Sequence, residues 1–171
     1  SIEKKLIISL LILLILLTSK SFGINLDKLN TKAGLITLMY HRFDEDKYPS
    51  TNIKKEVFLE HLNIANSLGI EFINLKKFEE IMKSNIDKNY LLLTIDDGFE
   101  SFYKNAWPIL KEKKIPFILF VSTREVGSFG YMTWDEIQEI EKEKFVYIGN
   151  HSHSHDYLVD LNEQEFLKDM D

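Results

Sequence analysis

Two stretches of this sequence bring together residue types that can do chemistry. Thr94-Ile95-Asp96-Asp97-Gly98 closes one apolar run, and His151-Ser152-His153-Ser154-His155 follows another further along. A catalytic zinc-type site takes three protein ligands and leaves a fourth position open. One aspartate and two histidines supply three ligands, and the second aspartate remains to handle protons. That chemistry is metal-assisted hydrolysis. In an extended strand neighbouring residues point to opposite faces, so the two aspartates cannot play the same part. Asp-Asp-Gly equally suits a tight turn, in which Gly98 accepts a positive φ. In a helix His151 and His155 would share a face and His153 would point away. In a strand all three would line one face. Either geometry lets His151 and His155 act as a pair, and His153 is left out of the ligand set.

The elements that must position these groups follow from hydrophobic spacing. Leu35 to Tyr40, Tyr90 to Ile95, Pro116 to Val121 and Phe145 to Ile148 read as short buried strands, and Glu71 to Leu75 as another. Val57 to Leu68 has Phe58, Leu62, Ala65 and Leu68 at helical spacing, with Gly69 where a C-terminal cap belongs. Lys76 to Lys83 and Asn162 to Met170 read as helices. Phe99 to Lys113 reads as helical with Pro108 starting or kinking part of it. Thr133 with Glu136 three residues on predicts a capping box. Asp44 to Thr51, polar and holding Pro49, reads as a loop. Strands alternating with helices predict parallel β/α units with both sheet faces covered. Both motifs, and His41 as well, then fall at strand ends, where α/β folds place their active sites.

Composition narrows the function. The chain has 171 residues, 44% hydrophobic and 28% charged, which suits one globular domain. A formal net charge of −6 argues against a nucleic-acid binder, which needs a basic face for phosphates. The absence of cysteine excludes disulfides and thiolate ligands. Lys4 and Lys5 precede an apolar stretch from Leu6 to Leu17, and Ser21 and Gly23 follow. This pattern predicts a signal peptide over residues 1–23, with the functional domain over 24–171. The run is shorter than the roughly 20 apolar residues that span a bilayer. The protein is thus expected to be exported, to the periplasm or the extracellular space, with no stable membrane span once the signal is cleaved and a membrane anchor if it is not.

Thr94 to Gly98 resembles the Thr-Phe-Asp-Asp-Gly motif of the polysaccharide deacetylases, the NodB-homology or family 4 carbohydrate esterases. Gly149-Asn150-His151-Ser152 with His155 resembles that family's His-Ser/Thr-x-x-His motif. Leu38-Met39-Tyr40-His41, Phe58 to Leu62 and Met132-Thr133-Trp134 are similar to the branch that includes the poly-N-acetylglucosamine deacetylases. The resemblance covers roughly residues 35 to 160. It implies an α/β fold, an irregular (β/α)7-type barrel. Residues 24–171 fall short of the about 200 that a barrel of this kind needs, so the barrel is expected to be C-terminally incomplete in this chain.

Carried over position by position, the resemblance implies that Asp97, His151 and His155 hold the metal and that Asp96 is the general base. Ile95 stands where the family usually has Phe. The family's late general-acid histidine has no match here; His41 matches the strand histidine to which the related branch assigns that role. The implied reaction is removal of N-acetyl groups from an amino-sugar polysaccharide of the poly-N-acetylglucosamine kind. O-acetyl xylan esters, peptidoglycan, or a catalytically silent glycan-binding module are the alternatives. One carboxylate and two imidazoles suit Zn²⁺, and Co²⁺, Ni²⁺, Mn²⁺ or Fe²⁺ would also fit. Arg42 and Arg124 are candidates to orient Asp96. Tyr131 and Trp134 could stack on a sugar or belong to the core, and His61 reads as a solvated surface residue.

Overall fold

The computed structural model describes residues 33–171. The predicted signal peptide over residues 1–23 lies outside them. In chain order the elements are β1 (Leu35–Tyr40), β2 (Arg42–Phe43), β3 (Asn52–Ile53), α1 (Lys55–Ser67), β4 (Glu71–Ile73), α2 (Leu75–Met82), β5 (Tyr90–Ile95), α3 (Glu100–Asn105), α4 (Trp107–Lys113), β6 (Phe117–Val121), α5 (Trp134–Glu141), β7 (Val146–Asn150) and α6 (Glu163–Met170).

β5 is the hub of a parallel sheet. All six of its residues are buried, as an apolar run covered on both faces requires. Along one edge it pairs with β1 over its whole length, Leu35 with Tyr90 through Tyr40 with Ile95. Its other edge is shared by β4 at Tyr90–Leu92 and β6 at Thr94–Ile95. β7 pairs in turn with β6, from Phe117 with Val146 to Val121 with Asn150. Among the described residues the sheet has five strands and stays open between β1 and β7, so the expected barrel is present as an arc.

Alternation along β5 divides the core in two. Leu91, Leu93 and Ile95 join Phe58, Phe102, Trp107, Leu110 and Leu119 under the helices. Tyr90 and Leu92 face the other way, against Ile73, Ile81 and Ile118. Leu93 is wholly buried at the centre of the hub strand. Leu93→Ala should destabilise the domain by about 2–5 kcal/mol, measured by denaturant unfolding, because its neighbours on both sides are held by paired strands and cannot close the cavity.

Boundary differences have local causes. β4 stops at Ile73 and not at Leu75 because the Asn74 side chain accepts a hydrogen bond from Lys77 N at 2.9 Å, capping α2. Phe99 to Lys113 is two helices, broken at Ala106, and Pro108 sits in the first turn of the second, where its missing N–H costs nothing. The Thr133–Glu136 capping box is present at α5. The loop after β1 holds an element that spacing did not predict: β2 and β3 pair as a two-residue parallel ribbon.

Candidate metal centre

The sheet register sets Asp96 and His41 side by side. Tyr40 is opposite Ile95, and Asp96 N donates to Tyr40 O at 2.8 Å, so the next residue along β1, His41, lies beside Asp96 at the C-terminal rim. Asp96 is 8% exposed, and its Oδ1 is shut off from solvent without a hydrogen-bond partner. Burial pushes the Asp96 carboxyl above its ordinary range, with Asp97 adding to this and His151, His41 and His155 opposing it.

Asp97 has already left the strand. Its φ of 74° is left-handed, and Gly98 follows at 83°. The turn and the functional site are therefore one structure: the reversal swings the Asp97 carboxylate away from that of Asp96. A glycine in the second position makes the double reversal feasible, since few residues adopt positive φ without strain.

The histidines reach the same point from β7. Their segment is neither helix nor strand; Ser152 (φ 62°) and His155 (φ 60°) are both left-handed, and the chain coils so that the two rings meet edge to face at 5.0 Å. Gly149 lets β7 lie close against the Phe120 ring of β6, because a Cβ there would come within 2.6 Å of it. His151 N donates to Val121 O at 3.0 Å, and Ser122 Oγ donates to His151 O at 3.0 Å, fastening the segment to the end of β6.

His151 Nε2 and His155 Nε2 each lie 3.1 Å from Asp97 Oδ1. The three ligand atoms lie within 4.8 Å of one another, and Asp97 Oδ1 is buried without a properly aligned hydrogen bond. Two imidazole nitrogens converging on one orphaned carboxylate oxygen form a group that could hold a metal ion. Donors about 2.0–2.1 Å from a tetrahedral Zn²⁺ stand roughly 3.3 Å apart, so the group fits a divalent ion with little movement.

Two clefts flank the trio. One, of about 240 Å³, is walled by Asp97, Tyr131, Arg124 and Asp156. The other, of about 490 Å³, lies against His151 and His155 and is completed by Tyr157, Leu158 and Met170.

Other sequence candidates are placed differently. Arg42 pairs with Glu45 at 3.0 Å and stacks on the Phe99 and Tyr48 rings. Arg124 pairs with Glu125 at 3.0 Å and lies 3.8 Å from Asp156. Neither forms an ion pair with Asp96, because each finds a carboxylate within three residues along the chain, Glu45 and Glu125. His61 is not a free surface residue: its Nδ1 shares a hydrogen bond with Tyr40 Oη at 2.8 Å. Burial pushes that phenol up to about 12, so it stays protonated. His153 Nδ1 bonds Thr123 Oγ1 at 2.8 Å, apart from the ligand trio. Tyr131 lines the smaller cleft and packs on Phe99, whereas Trp134 is half exposed and outside the core.

Spacing gave no hint of Asp169. Its Oδ1 accepts from Ser154 N at 2.9 Å, tying α6 to the histidine segment. Burial raises the Asp169 carboxyl, but the Ser154 hydroxyl and N–H and the Ser152 hydroxyl outweigh it and hold the group below its usual range.

A family model described as polysaccharide deacetylase matches residues 83–171. The chain is 28% identical over 144 residues to the poly-beta-1,6-N-acetyl-D-glucosamine N-deacetylase of Staphylococcus aureus (strain MRSA252), a match covering 80% of this chain and 50% of that protein. It thus spans about half the length of the curated relatives it matches. The fold superposes on IcaB from Ammonifex degensii with a TM-score of 0.67 at 28% identity, covering 72% of this chain and 55% of that one. It superposes on the Streptococcus pyogenes deacetylase PplD in complex with acetate with a TM-score of 0.70 at 22% identity, over 82% and 66% of the two chains. The parallel α/β architecture is therefore that of the solved deacetylases. Among the described residues no helix is long and apolar enough to cross a membrane.

Proposed function

The chain belongs to the polysaccharide deacetylase family, and from that premise we propose that it is a metal-dependent hydrolase that removes N-acetyl groups from an amino-sugar polysaccharide of the poly-N-acetylglucosamine kind. The observation that carries this reading is the pairing of two geometries in adjacent residues. Asp97 faces two imidazole nitrogens at 3.1 Å, while Asp96 keeps a buried, unpartnered oxygen beside them.

Asp97 Oδ1, His151 Nε2 and His155 Nε2 would hold the ion, and Zn²⁺ suits this donor set. When bound, a divalent ion supplies a Lewis acid, which polarises an amide carbonyl and makes water a stronger acid. The Asp96 carboxylate accepts the proton that water loses as it attacks the carbonyl carbon. The carbon–nitrogen bond then breaks, and His41, as imidazolium, protonates the departing amine. The products are acetate and a free amino sugar. Asp96 and His41 stand next to each other on the rim, so one group can take a proton and the other give one at the same end of the sheet. Tyr131, on the wall beside Asp97, offers an aromatic face to a sugar ring.

The similarity to a poly-beta-1,6-N-acetyl-D-glucosamine N-deacetylase supports the substrate class. The basic and apolar pattern of residues 1–23 supports export, with residues 24–171 as the catalytic domain. The test is acetate release from β-1,6-linked N-acetylglucosamine oligomers by the full-length protein. Removing metal with a chelator should reduce release to background, and adding Zn²⁺ or Co²⁺ should restore it. Full activity in thoroughly chelated protein would overturn the reading.

A further inference from the structure

The segment that presents both histidines is held on two sides, and only one of them belongs to the sheet. Left-handed backbone at Ser152 and His155 is disfavoured for L-residues and persists only where neighbours over-determine it. From β6 and the turn after it, Thr123 N donates to Ser152 O at 3.3 Å and Arg124 N to His153 O at 3.0 Å. Within the segment, His155 N donates to Ser152 Oγ at 3.0 Å.

The second hold comes from α6. Ser154 N donates to Asp169 Oδ1 at 2.9 Å, and His153 N donates to Asp169 O at 2.7 Å. Ser152 and Ser154 are 6% and 8% exposed, and Asp169 Oδ2 is sealed from solvent without a hydrogen-bond partner. The other charged and amide side chains of α6, Glu163, Gln164, Glu165 and Lys168, are exposed. One carboxylate of an otherwise solvated helix is thus bonded to the backbone of the serine that precedes His155.

We propose that Asp169 is a positioning residue of the metal centre. Its carboxylate fixes the Ser152–Ser154 backbone so that His151 and His155 present their Nε2 atoms together to Asp97. The inference rests on the functional reading above and concerns the same centre. Asp169 touches neither ligand ring and acts through the chain between them. Groups of this kind outside the ligand shell commonly set metal affinity by about 10–100-fold.

The test measures Co²⁺ affinity, by competition with a chromophoric chelator, and the visible Co²⁺ absorption spectrum in the full-length protein. Asp169→Ala should weaken Co²⁺ binding at least about tenfold and alter the spectrum. Asp169→Asn keeps an acceptor for Ser154 N and should recover most of the affinity. A carboxylate that merely docked the helix would lower the melting temperature of the alanine variant and leave affinity and spectrum unchanged, and that result overturns the proposal. Should the alanine variant not fold, Asp169→Glu decides. It keeps the charge but displaces the oxygens by one methylene, so weaker binding supports the proposal and unchanged binding overturns it. Failure of the unsubstituted protein to bind Co²⁺ would overturn the functional reading itself, and needs no variant to be seen.

Discussion

Asp96→Asn should lose about 10²–10⁴ in turnover while binding metal with unchanged stoichiometry. Asparagine has nearly the same shape, so the buried position beside Tyr40 and His41 can accept it without repacking. Its amide cannot take up a proton as the carboxylate can, and this is the function the substitution removes. The proposed ligand trio of Asp97, His151 and His155 does not include Asp96, so the metal should stay. Stability should not fall either. The wild-type carboxylate is buried with an unpartnered oxygen, and exchanging a poorly compensated charge for a neutral amide is neutral or favourable. Acetate release, metal content by elemental analysis and a thermal melt check the three statements together. A variant that kept most of its turnover would show that another group is the base. A variant that lost both metal and turnover would place Asp96 in the ligand set.

What the residues disclosed and what they withheld follow a physical division. Strands such as Tyr90–Ile95 were legible because a doubly covered strand must be apolar throughout, and its rim must then carry whatever polar residues come next. His41, Asp96 and Asp97 therefore fall at the same end of the sheet on the sequence alone. Local caps were legible for a similar reason: Thr133 with Glu136 satisfies helix donors by contacts three residues apart. The path of the chain beyond the strand ends was not legible. A left-handed residue at Asp97, Ser152 or His155 leaves no periodicity, so neither the helical nor the extended reading of the histidine segment matched its coil. Arg42 and Arg124 were placed on the right rim, but side chains at a rim choose among several carboxylates, and Glu45 and Glu125 were nearer. His61 and Asp169 show the remaining limit. Their partners, Tyr40 and Ser154, lie far off in sequence, and only the packing of α1 and α6 brings them together.

The left-handed backbone at Asp97 leads to the second large effect, because there the needs of the fold and of the site oppose each other. Asp97→Gly should abolish metal binding and activity, yet leave the metal-free protein at least as stable as the parent. Glycine adopts a φ of 74° without a Cβ penalty, whereas an L-residue in this region carries about 1–2 kcal/mol of strain, somewhat less for aspartate. The substitution also deletes a buried oxygen that lacks an aligned hydrogen bond in the absence of an ion. Against these gains stands the extra freedom of glycine in the unfolded chain, about 0.5–1 kcal/mol, so the two sides nearly cancel. Metal reverses the order. At a hundredfold excess over its dissociation constant an ion that binds only the folded state adds about 2.7 kcal/mol, and the parent alone can collect it. Unfolding curves for both proteins, with chelator and with Zn²⁺, should therefore cross: glycine equal or better without metal, aspartate better with it. A glycine variant clearly less stable than the parent in chelator would mean that Asp97 serves the fold as well as the ion. In that case its two contacts with His151 and His155 would be structural ion pairs in their own right.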